Sequence, residues 1–338
     1  MGKEILLAFS GGIDSCAAVG ILRDWGYSVH LLTIDMLGDE ALMSQARESA
    51  ARLGLQLHTL DARQLFEREI VSNFVEEYAN GRTPAPCTRC NPLIKWRLLA
   101  QEAERLGIYH IATGHYFRLV EYHNHLYVSR ARDLRKDQSY YLWGVGESIL
   151  RRVVTPMGER IKEEVKAAST LKRESMGVCF LRGSHYTELL RERCGAGSRA
   201  LAEGDVVDGS GGVVGRHSGV ARYTIGQRRG DGIPEGLRVT AIDASKNLLR
   251  VGLNEELYTD RLEIVECHFI EAEELFASNE VRVMIRGIGR NPEGYAVVRP
   301  TPYGAEVELL DCSAWAAAPG QPVALYIGDR VVGGGVLR

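Results

Sequence analysis

Short apolar runs alternate with segments of helical periodicity through the first half of the chain. The runs at 4–9, 29–34, 55–60 and 108–113 predict buried β-strands, because each is short and bounded by polar or glycine residues. The segments 16–25, 40–53, 65–78 and 93–106 carry apolar residues at helical spacing. We expect Gly54 and Gly107 to end two of these helices, and Pro92 to begin the last. Repeated strand–helix units predict an α/β fold with a doubly wound parallel sheet, in which ligands bind beyond the carboxyl ends of the strands.

The pattern changes near residue 201, where strand-like runs separated by glycine-rich turns replace the helices. The later runs are evenly spaced, which predicts a small antiparallel β-barrel or sandwich. They lie at 281–285, 295–298, 305–310, 322–327 and 330–336. We therefore predict three domains: an α/β domain at 1–200, a central β-rich domain at 201–262 and a C-terminal β-barrel at 263–338.

The amino-acid composition excludes some functional classes but does not identify the function. The 338 residues carry 41 Lys and Arg against 44 Asp and Glu, a formal net charge of −3. Contacts with nucleic acid would therefore come from local basic patches and not from the overall charge. The sequence shows no signal peptide and no apolar stretch of about 18 residues, so we expect a soluble cytoplasmic protein. Seven cysteines without a secretory signal argue against a disulfide scaffold and direct attention to cysteine chemistry.

The segment Ser10-Gly11-Gly12-Ile13-Asp14-Ser15 joins the first predicted strand to the first predicted helix. Glycines allow the backbone to approach a phosphate, and the N–H groups and dipole of a helix N-terminus attract anions. The segment lacks both the Gly-Lys-Ser/Thr ending of a Walker A loop and the Gly-x-Gly-x-x-Gly dinucleotide pattern. An ordinary serine–glycine turn is the alternative interpretation. The segment resembles the PP-loop of ATP pyrophosphatases, a resemblance that implies cleavage of ATP between its α- and β-phosphates and formation of an adenylate.

Two cysteines, Cys87 and Cys90, follow a proline-rich approach to a predicted helix. We expect Cys90 to lie near the helix N-terminus, where the dipole together with Arg89 and Lys95 would favour the thiolate. A buried cysteine pair or half of a zinc site is the alternative, although no second cysteine or histidine pair follows at zinc spacing. Cys179 stands alone further along the chain. The four remaining cysteines carry no motif, and we expect structural roles for them: Cys16, Cys194, Cys267 and Cys312.

Six motifs taken together, in this order, resemble the bacterial tRNA-specific 2-thiouridylase family over almost the whole chain. They are the loop Ser10–Ser15, Gly81-Arg82-Thr83-Pro84-x-Pro86-x-x-x-Cys90-Asn91, Ile111-Ala112-Thr113-Gly114-His115-Tyr116, Lys136-Asp137-Gln138-Ser139-Tyr140, Gly177-Val178-Cys179-Phe180 and Tyr223-Thr224-Ile225-Gly226-Gln227-Arg228-Arg229-Gly230. The resemblance implies ATP-dependent 2-thiolation of the wobble uridine of tRNA. ATP, with Mg²⁺, would adenylate O2 of the base. A persulfide on Cys179 would then deliver sulfur, and Cys90 would assist by releasing sulfide or by closing a disulfide with Cys179.

The resemblance also implies which residues bind ATP and tRNA. The ATP-binding positions are Ala8, Phe9, Ser10, Gly11, Gly12, Ile13, Asp14, Ser15, Ile34 and Gly114. The tRNA-binding positions are Ala85, Pro86, Cys87, His115, Lys136, Asp137, Gln138 and Gln321. The implied protein partner is a sulfur-relay protein or a cysteine desulfurase, and no membrane is involved.

The chain departs from the family pattern at the cysteine pair. Typical members have Asp at the position of Cys87, and the change creates a set of three cysteines with Cys90 and Cys179. Related PP-loop thiolases use three cysteines to hold an iron–sulfur cluster, so a cluster-dependent thiolase acting on another uridine is one alternative. A PP-loop amide-forming synthetase, which needs no cysteine, is another. The family's Arg-Tyr contact with tRNA falls on Ile288-Gly289, a second departure.

Basic residues concentrate in three places in this slightly acidic chain, and we expect these patches to contact RNA. The patches are Arg130, Arg132, Arg135 and Lys136; Arg216, His217, Arg222, Arg228 and Arg229; and Arg282, Arg286, Arg290 and Arg299.

Overall fold

The computed structural model describes residues 3–169, 177–195, 197–287 and 289–338. Its strands, in chain order, are β1 (Lys3–Ala8), β2 (Tyr27–Asp35), β3 (Leu57–Asp61), β4 (His110–Thr113), β5 (Arg118–Tyr122), β6 (His125–Ser129), β7 (Val153–Val154), β8 (Gly204–Val207), β9 (Val213–His217), β10 (Arg238–Asp243), β11 (Leu248–Gly252), β12 (Tyr258–Thr259), β13 (Arg261–Phe269), β14 (Val281–Met284), β15 (Tyr295–Thr301), β16 (Gly304–Leu310), β17 (Ala314–Trp315), β18 (Pro322–Ile327) and β19 (Arg330–Leu337). Its α-helices are α1 (Ile13–Asp24), α2 (Glu40–Leu53), α3 (Arg63–Phe66), α4 (Ser72–Ala79), α5 (Pro86–Cys90), α6 (Arg97–Arg105), α7 (Glu147–Leu150), α8 (Lys162–Ala167), α9 (Tyr186–Cys194) and α10 (Ala272–Ala277).

The chain divides into two units that are each discontinuous in sequence. The first unit comprises Met1–Ile70, Cys87–Phe180 and Asp329–Val332. The second comprises Val71–Pro86, Leu181–Gly328 and Gly333–Arg338. The three-domain division with boundaries at 200 and 262 stays a prediction.

A parallel sheet with the strand order β3-β2-β1-β4-β7 forms the centre of the first unit. Ile5 and Leu7 of β1 pack into a core with Val19 and Leu22 of α1. Leu6, which points to the opposite face of the sheet, is fully buried as well. Burial of both faces explains why these strands are continuous apolar runs, and it confirms the predicted doubly wound α/β sheet.

Local sequence signals position α2 as predicted. The Asp39 carboxylate accepts hydrogen bonds from the backbone N–H groups of Ala41 and Leu42 and so caps the helix N-terminus. At the other end, Gly54 adopts the left-handed conformation that ends the helix. Both ends of the helix therefore follow from residues within one turn of it.

The helical segment that carries Cys90 begins earlier than predicted. Helix α5 starts at Pro86 and continues through a π-helical turn, Asn91–Trp96, into α6. The prediction that Pro92 begins this helix is wrong. Proline lacks the N–H that an α-helix interior requires, and here it lies in the wider π-helical turn, which breaks the α-helical pattern without ending the segment.

Antiparallel strands dominate the second unit. Four strands form a sheet in the order β10-β11-β8-β9. Six more follow the order β13-β16-β15-β14-β18-β19, and pairing between β13 and β19 closes them into a barrel. In β16, Ala305, Val307 and Leu309 are buried and alternate with more exposed residues, as the two-residue period of a strand requires. The predicted C-terminal barrel is confirmed. Within the described ranges, no helix is long and apolar enough to span a membrane.

Candidate active site

The loop between β1 and α1 has the conformation that its glycines predict. The Gly11 φ angle is +71°, and a Cβ atom at this position would lie 2.8 Å from both Ala46 Cα and Gln45 O. Gly12 is the N-cap of α1 and has no side chain to offer the first N–H groups of the helix. The helix N-terminus therefore stays available to an anion.

Serine hydroxyls hold this loop in place. Ser15 Oγ donates to Gly12 O at 3.1 Å and lies 3.3 Å from Ser10 Oγ, which accepts from Gly12 N at 3.3 Å. From α2, the buried Ser49 donates to Gly11 O at 3.1 Å. The loop conformation is thus fixed by hydroxyl hydrogen bonds, while the N-cap residue itself contributes no side-chain cap to α1.

Asp14, in the first turn of α1, accepts hydrogen bonds from two side chains that the sequence analysis did not single out for roles. Lys162 Nζ lies 2.7 Å from both carboxylate oxygens, and Tyr116 Oη donates to Oδ1 at 2.8 Å. The Lys162 side chain is 6% exposed, whereas that of Asp14 is 34% exposed. The lysine has no motif around it, and its contact with Asp14 spans 148 positions, so sequence alone gave no signal for it.

The carboxyl ends of three neighbouring strands meet at the loop, as the fold predicts. Phe9 N donates to Leu32 O at 2.8 Å, and Thr33 Oγ1 donates to Phe9 O at 2.6 Å. Gly114 follows β4, and a Cβ atom there would lie 3.1 Å from Ser15 N. Because Ile34 is the next residue of β2 after Thr33, the structure brings the predicted ATP-binding segments 8–15, Ile34 and Gly114 to one edge of the sheet.

Cys90 is buried, with 5% of its surface exposed, and lies at the last position of α5. Burial raises the pKa of this thiol to about 12, and the charge of Lys95 only partly offsets that rise. The Arg89 side chain makes a different contact, because its Nε donates a hydrogen bond to Glu69 O at 2.8 Å. The prediction that Arg89 and a helix N-terminus favour a Cys90 thiolate is therefore wrong, because burial outweighs the single nearby cation and the helix begins a turn earlier.

Cys179 is exposed at the start of a short 3-10 turn, Cys179–Leu181. The protein atoms around its sulfur raise the pKa of the thiol, while Lys95 lowers it. The Phe180 ring packs edge-on against Phe66, with centroids 5.9 Å apart. Lys95 thus acts on both thiols that the family resemblance assigns to sulfur transfer.

Cys87 lies one helical turn before Cys90 and is partly exposed. Negative charge at Cys179 or Cys87 raises the pKa of Cys90, so the three sulfurs are within electrostatic range of one another. All seven cysteines fall in the described ranges and are free thiols. No group of three His, Cys, Asp or Glu side chains in those ranges is arranged to hold a metal ion, so the three cysteines do not fit a cluster in this conformation.

His115 is neutral and is held by two contacts. Its Nδ1 lies 2.8 Å from Thr113 Oγ1, and its ring stacks on the buried Trp96 with centroids 6.1 Å apart. Burial and, to a smaller extent, the charge of Lys95 lower the pKa of His115 to about 3. The side chain therefore lies in the site as an uncharged hydrogen-bonding group.

Asn91 connects the cysteine turn to a later segment. Its Nδ2 donates to Cys87 O at 3.0 Å and to Tyr141 O at 3.2 Å. Asn91 is 2% exposed, and its Oδ1 has no hydrogen-bond partner within the part of the chain that the structure describes. Two carbonyl acceptors fix the orientation of the amide, so Asn91 holds the Cys87–Cys90 turn in place.

Two of the predicted tRNA contacts use their polar groups inside the protein. Asp137 Oδ1 accepts from Ala131 N at 2.8 Å and Oδ2 from Ser139 Oγ at 2.6 Å, and burial raises the pKa of this carboxyl. Gln138 Oε1 accepts from Tyr116 N at 2.9 Å. Lys136 beside them is exposed. Of these three side chains, Lys136 is the one best placed for an external anion.

The remaining predicted tRNA contacts lie at the start of α5 and in the second unit. Ala85 directly precedes the helix, and Pro86 and Cys87 are its first two residues. Gln321, in the second unit, directly precedes β18, and its Oε1 accepts from Ala318 N at 2.9 Å. The role of these residues in tRNA binding stays a prediction.

The third basic patch is largely paired inside the second unit. Arg286 donates to Trp315 O at 3.1 Å and Ala316 O at 2.6 Å, and Arg299 pairs with Glu308. Arg290 donates to Tyr258 Oη at 2.9 Å. Ile288 lies outside the described residues. In the second patch, Arg228 and Arg229 are exposed, which makes them stronger candidates for contact with RNA.

Comparisons with known proteins cover nearly the whole chain. Three family models match consecutive parts: a tRNA methyl transferase HUP domain over residues 3–183, a tRNA methyl transferase PRC-barrel domain over 197–253 and an aminomethyltransferase beta-barrel domain over 259–337. The chain is 39% identical to tRNA-specific 2-thiouridylase MnmA 3 of Bacteroides fragilis, over 98% of this chain and 93% of that protein. It is 36% identical to tRNA-specific 2-thiouridylase MnmA of Acidithiobacillus ferrooxidans, over 99% and 98% of the two chains. With the MnmA protein of Clostridium acetobutylicum the identity is 32% over the full length of both.

Proposed function

This chain belongs to the tRNA-specific 2-thiouridylase family, and we propose how its residues divide the work of ATP-dependent tRNA 2-thiolation. The enzyme is a sulfurtransferase that uses ATP. In our proposal the loop Ser10–Ser15 activates the base, and Cys179 and Cys90 transfer the sulfur. The observation that supports the proposal is the presence, in one unit, of a glycine-rich loop at the N-terminus of α1 and two free thiols influenced by the same lysine.

Activation of the base makes its oxygen a leaving group. The N–H groups at the start of α1 are suited to the phosphates of ATP, and the absence of a Cβ at Gly11 and at Gly114 lets the loop pack closely against α2 and against the residue that follows β4. Attack of the uridine O2 on the α-phosphorus would form an adenylated base and release pyrophosphate. We assign ATP binding to the segment Ala8–Ser15 together with Ile34 and Gly114.

Magnesium is the usual companion of ATP in such reactions and would neutralise phosphate charge. Both carboxylate oxygens of Asp14 already accept from Lys162, and no metal-holding group of three acidic, His or Cys side chains exists among the described residues. A magnesium ion would therefore be held largely by phosphate oxygens and water, which is how this small cation commonly binds.

Sulfur transfer would start from a persulfide on Cys179, the exposed thiol, loaded by a sulfur-relay protein or a cysteine desulfurase. The Cys90 thiolate would attack the Cys179 sulfur and expel the outer sulfur as hydrosulfide, leaving a Cys90–Cys179 disulfide. The hydrosulfide would attack C2 of the base and displace AMP. An external dithiol would then reduce the disulfide.

The sulfur-transfer steps require the Cys90 thiol to lose its proton. With a pKa of about 12, its thiol carries a proton at neutral pH in the described conformation. The thiolate would therefore form only after tRNA or ATP binding, or a movement of the turn, changes its surroundings. Lys95 is the cation already present to stabilise it.

The substrate in this proposal is the wobble uridine of tRNA. A base inside a stacked loop has to be turned out to reach an enzyme site. We assign contacts with tRNA to Ala85, Pro86, Cys87, His115, Lys136, Asp137, Gln138 and Gln321. Because tRNA and ATP are both cytoplasmic, we place the activity in the cytoplasm.

Reconstitution with ATP, a sulfur donor and an unmodified tRNA transcript tests the proposal. Mass spectrometry of the nucleosides should show 2-thiouridine with the native protein and none with Cys90→Ser or Cys179→Ser, while both variants still release pyrophosphate from ATP. Cys267→Ser is the matched control. Full thiolation by both variants would contradict the assigned cysteine roles, whereas pyrophosphate release from ATP without any 2-thiouridine from the native protein would indicate an amide-forming synthetase.

Cys87→Ser and an iron assay separate the persulfide route from a cluster. The persulfide route gives Cys87 a contact with tRNA but no part in sulfur transfer, so at saturating tRNA this variant should form 2-thiouridine within roughly threefold of the native rate. Loss of activity together with stoichiometric iron in anaerobically purified protein would establish the cluster route.

A further inference from the structure

We propose that Lys162 is a positioning residue that makes the phosphate-binding loop receptive to ATP by neutralising Asp14. The inference rests on the proposed function, because it concerns the same ATP site. Lys162 belongs to none of the motifs of the chain, and no step described above uses it.

The geometry ties Lys162 to the phosphate loop through one carboxylate. Lys162 Nζ is 2.7 Å from Asp14 Oδ1 and 2.7 Å from Oδ2, so the ion pair is bidentate. The backbone N–H of Lys162 donates to Oδ2 of the buried Asp133 at 3.0 Å, which fixes the start of α8. The ammonium also lies 5.9 Å from the centre of the Tyr116 ring, whose hydroxyl donates to Asp14.

The contribution of the ion pair to folding stability does not by itself explain why Lys162 is buried. Removing a charged pair from water costs several kcal/mol per ion, and well-packed apolar side chains of similar volume are often at least as stabilising. The Lys162 side chain is 6% exposed, whereas Asp14 keeps 34% of its side chain open to solvent at the loop. The pair thus buries its positive member and presents its negative member where phosphates would bind.

The Lys162–Asp14 ion pair balances charge at the loop between β1 and α1. Asp14 lies in the first turn of α1, the part of the helix that attracts anions. An uncompensated carboxylate there would repel a triphosphate at close range, where interactions are weakly screened. With Lys162 in contact, the pair is neutral and the attraction of the helix N-terminus for phosphate remains.

The repulsion predicted without Lys162 depends on the charge of the nucleotide. ATP carries more negative charge than AMP, so loss of the lysine should weaken ATP binding more than AMP binding. General damage to the pocket would weaken both equally. The ratio of the two dissociation constants therefore separates a charge-balancing role from a structural one.

Calorimetric titration of the full-length protein with ATP and with AMP tests the inference. For Lys162→Met we expect at least about a tenfold rise in the Kd for ATP, with the Kd for AMP changed by less than about twofold; tenfold corresponds to about 1.4 kcal/mol. Lys162→Arg should stay near the native value. Lys166→Met, at an exposed position of the same helix, is the matched control.

The double variant Asp14→Asn/Lys162→Met completes the test, because removing the carboxylate removes the repulsion. It should bind ATP more tightly than Lys162→Met alone, and it provides a neutral pair if the single variant does not fold. Unchanged ATP binding in Lys162→Met, equal loss of ATP and AMP binding, or no recovery in the double variant would each overturn the inference. Absence of ATP binding by the native protein would instead contradict the proposed function.

Discussion

Cys90 and His115 are two titratable side chains whose protonation states are set by burial. Both lie within the influence of Lys95, which lowers the pKa of each. At Cys90 the lysine opposes burial and is outweighed; at His115 the two effects add. Burial therefore keeps the Cys90 thiol protonated against the effect of Lys95, whereas burial and Lys95 together keep the His115 imidazole neutral.

The raised pKa of Cys90 predicts slow alkylation in the free protein. A thiol with a pKa of about 12 has little thiolate at pH 7, and its reaction with iodoacetamide should accelerate as the pH rises toward that value. Cys179, which is exposed, should be modified first. Mass spectrometry after timed labelling measures both rates. Equal labelling of the two cysteines at pH 7 would contradict the structure.

The lowered pKa of His115 predicts a loss of stability in acid. The unfolded chain takes up a proton on this side chain below about pH 6.5, whereas the folded chain does so only near pH 3, so stability falls as the pH decreases between these values. Between pH 7 and pH 5, His115→Gln should lose roughly 2 kcal/mol less unfolding free energy than the native protein.

Urea denaturation at the two pH values measures this difference. His123→Gln, at an exposed turn position, is the control and should behave like the native protein. An identical acid sensitivity of His115→Gln and the native protein would show that another group titrates on unfolding.

Elements whose signals are local were predictable from the sequence, and elements that depend on distant contacts were not. Helix α2 carries its own cap at Asp39 and its own stop at Gly54, and it forms at the predicted residues. Pro92 lies in a π-helical turn that local propensity does not anticipate. At the site, the loop residues follow from their motif, whereas Lys162 acquires its place only through its contact with Asp14.

Substitution of two glycines that have similar φ angles distinguishes the cost of a strained backbone from the cost of a steric clash. Gly11 has a φ of +71° and Gly54 a φ of +64°, but only at Gly11 would a Cβ atom meet backbone, at 2.8 Å. Gly54→Ala should lower the unfolding free energy by about 1 kcal/mol. Gly11→Ala should lower it by roughly 2 kcal/mol more, because the chain around Ala46 has to shift.

Thermal or urea denaturation gives the two energies, and ATP titration gives the functional consequence. Gly11→Ala should also lose measurable ATP binding, whereas Gly54→Ala should keep it. Similar losses of stability in both variants would show that the contact with α2 contributes nothing.

For the molecule as a whole, binding of a polyanion has to overcome a formal net charge of −3. Many arginines of the predicted patches already pair within the protein, as Arg286 and Arg299 do. The motif residues Arg228 and Arg229 are exposed instead. Sequence alone located the basic residues but could not show which of them are paired internally, because pairing depends on how the strands and loops align in the fold.

Salt dependence of tRNA binding tests this distinction. Affinity should fall steeply as salt rises, because lysine and arginine contacts release ions from the phosphates. Arg228→Ala/Arg229→Ala should weaken binding and reduce the slope of log Kd against log salt by about one to two. Arg299→Ala, which removes a paired arginine, should leave the slope unchanged. Binding that is independent of salt would contradict the electrostatic interpretation.

The discontinuity of the two units has a consequence for how the chain is made. Strand β6 pairs with β19 through Ser129 and Arg330, residues separated by roughly 200 positions. A ribosome working at about 5–20 residues per second needs roughly 10 to 40 seconds to synthesise that interval. During this time the nascent chain holds β6 with one edge unpaired, and such edges are templates for aggregation. Chaperone cover during translation should therefore matter more for this protein than for one whose domains are completed in chain order.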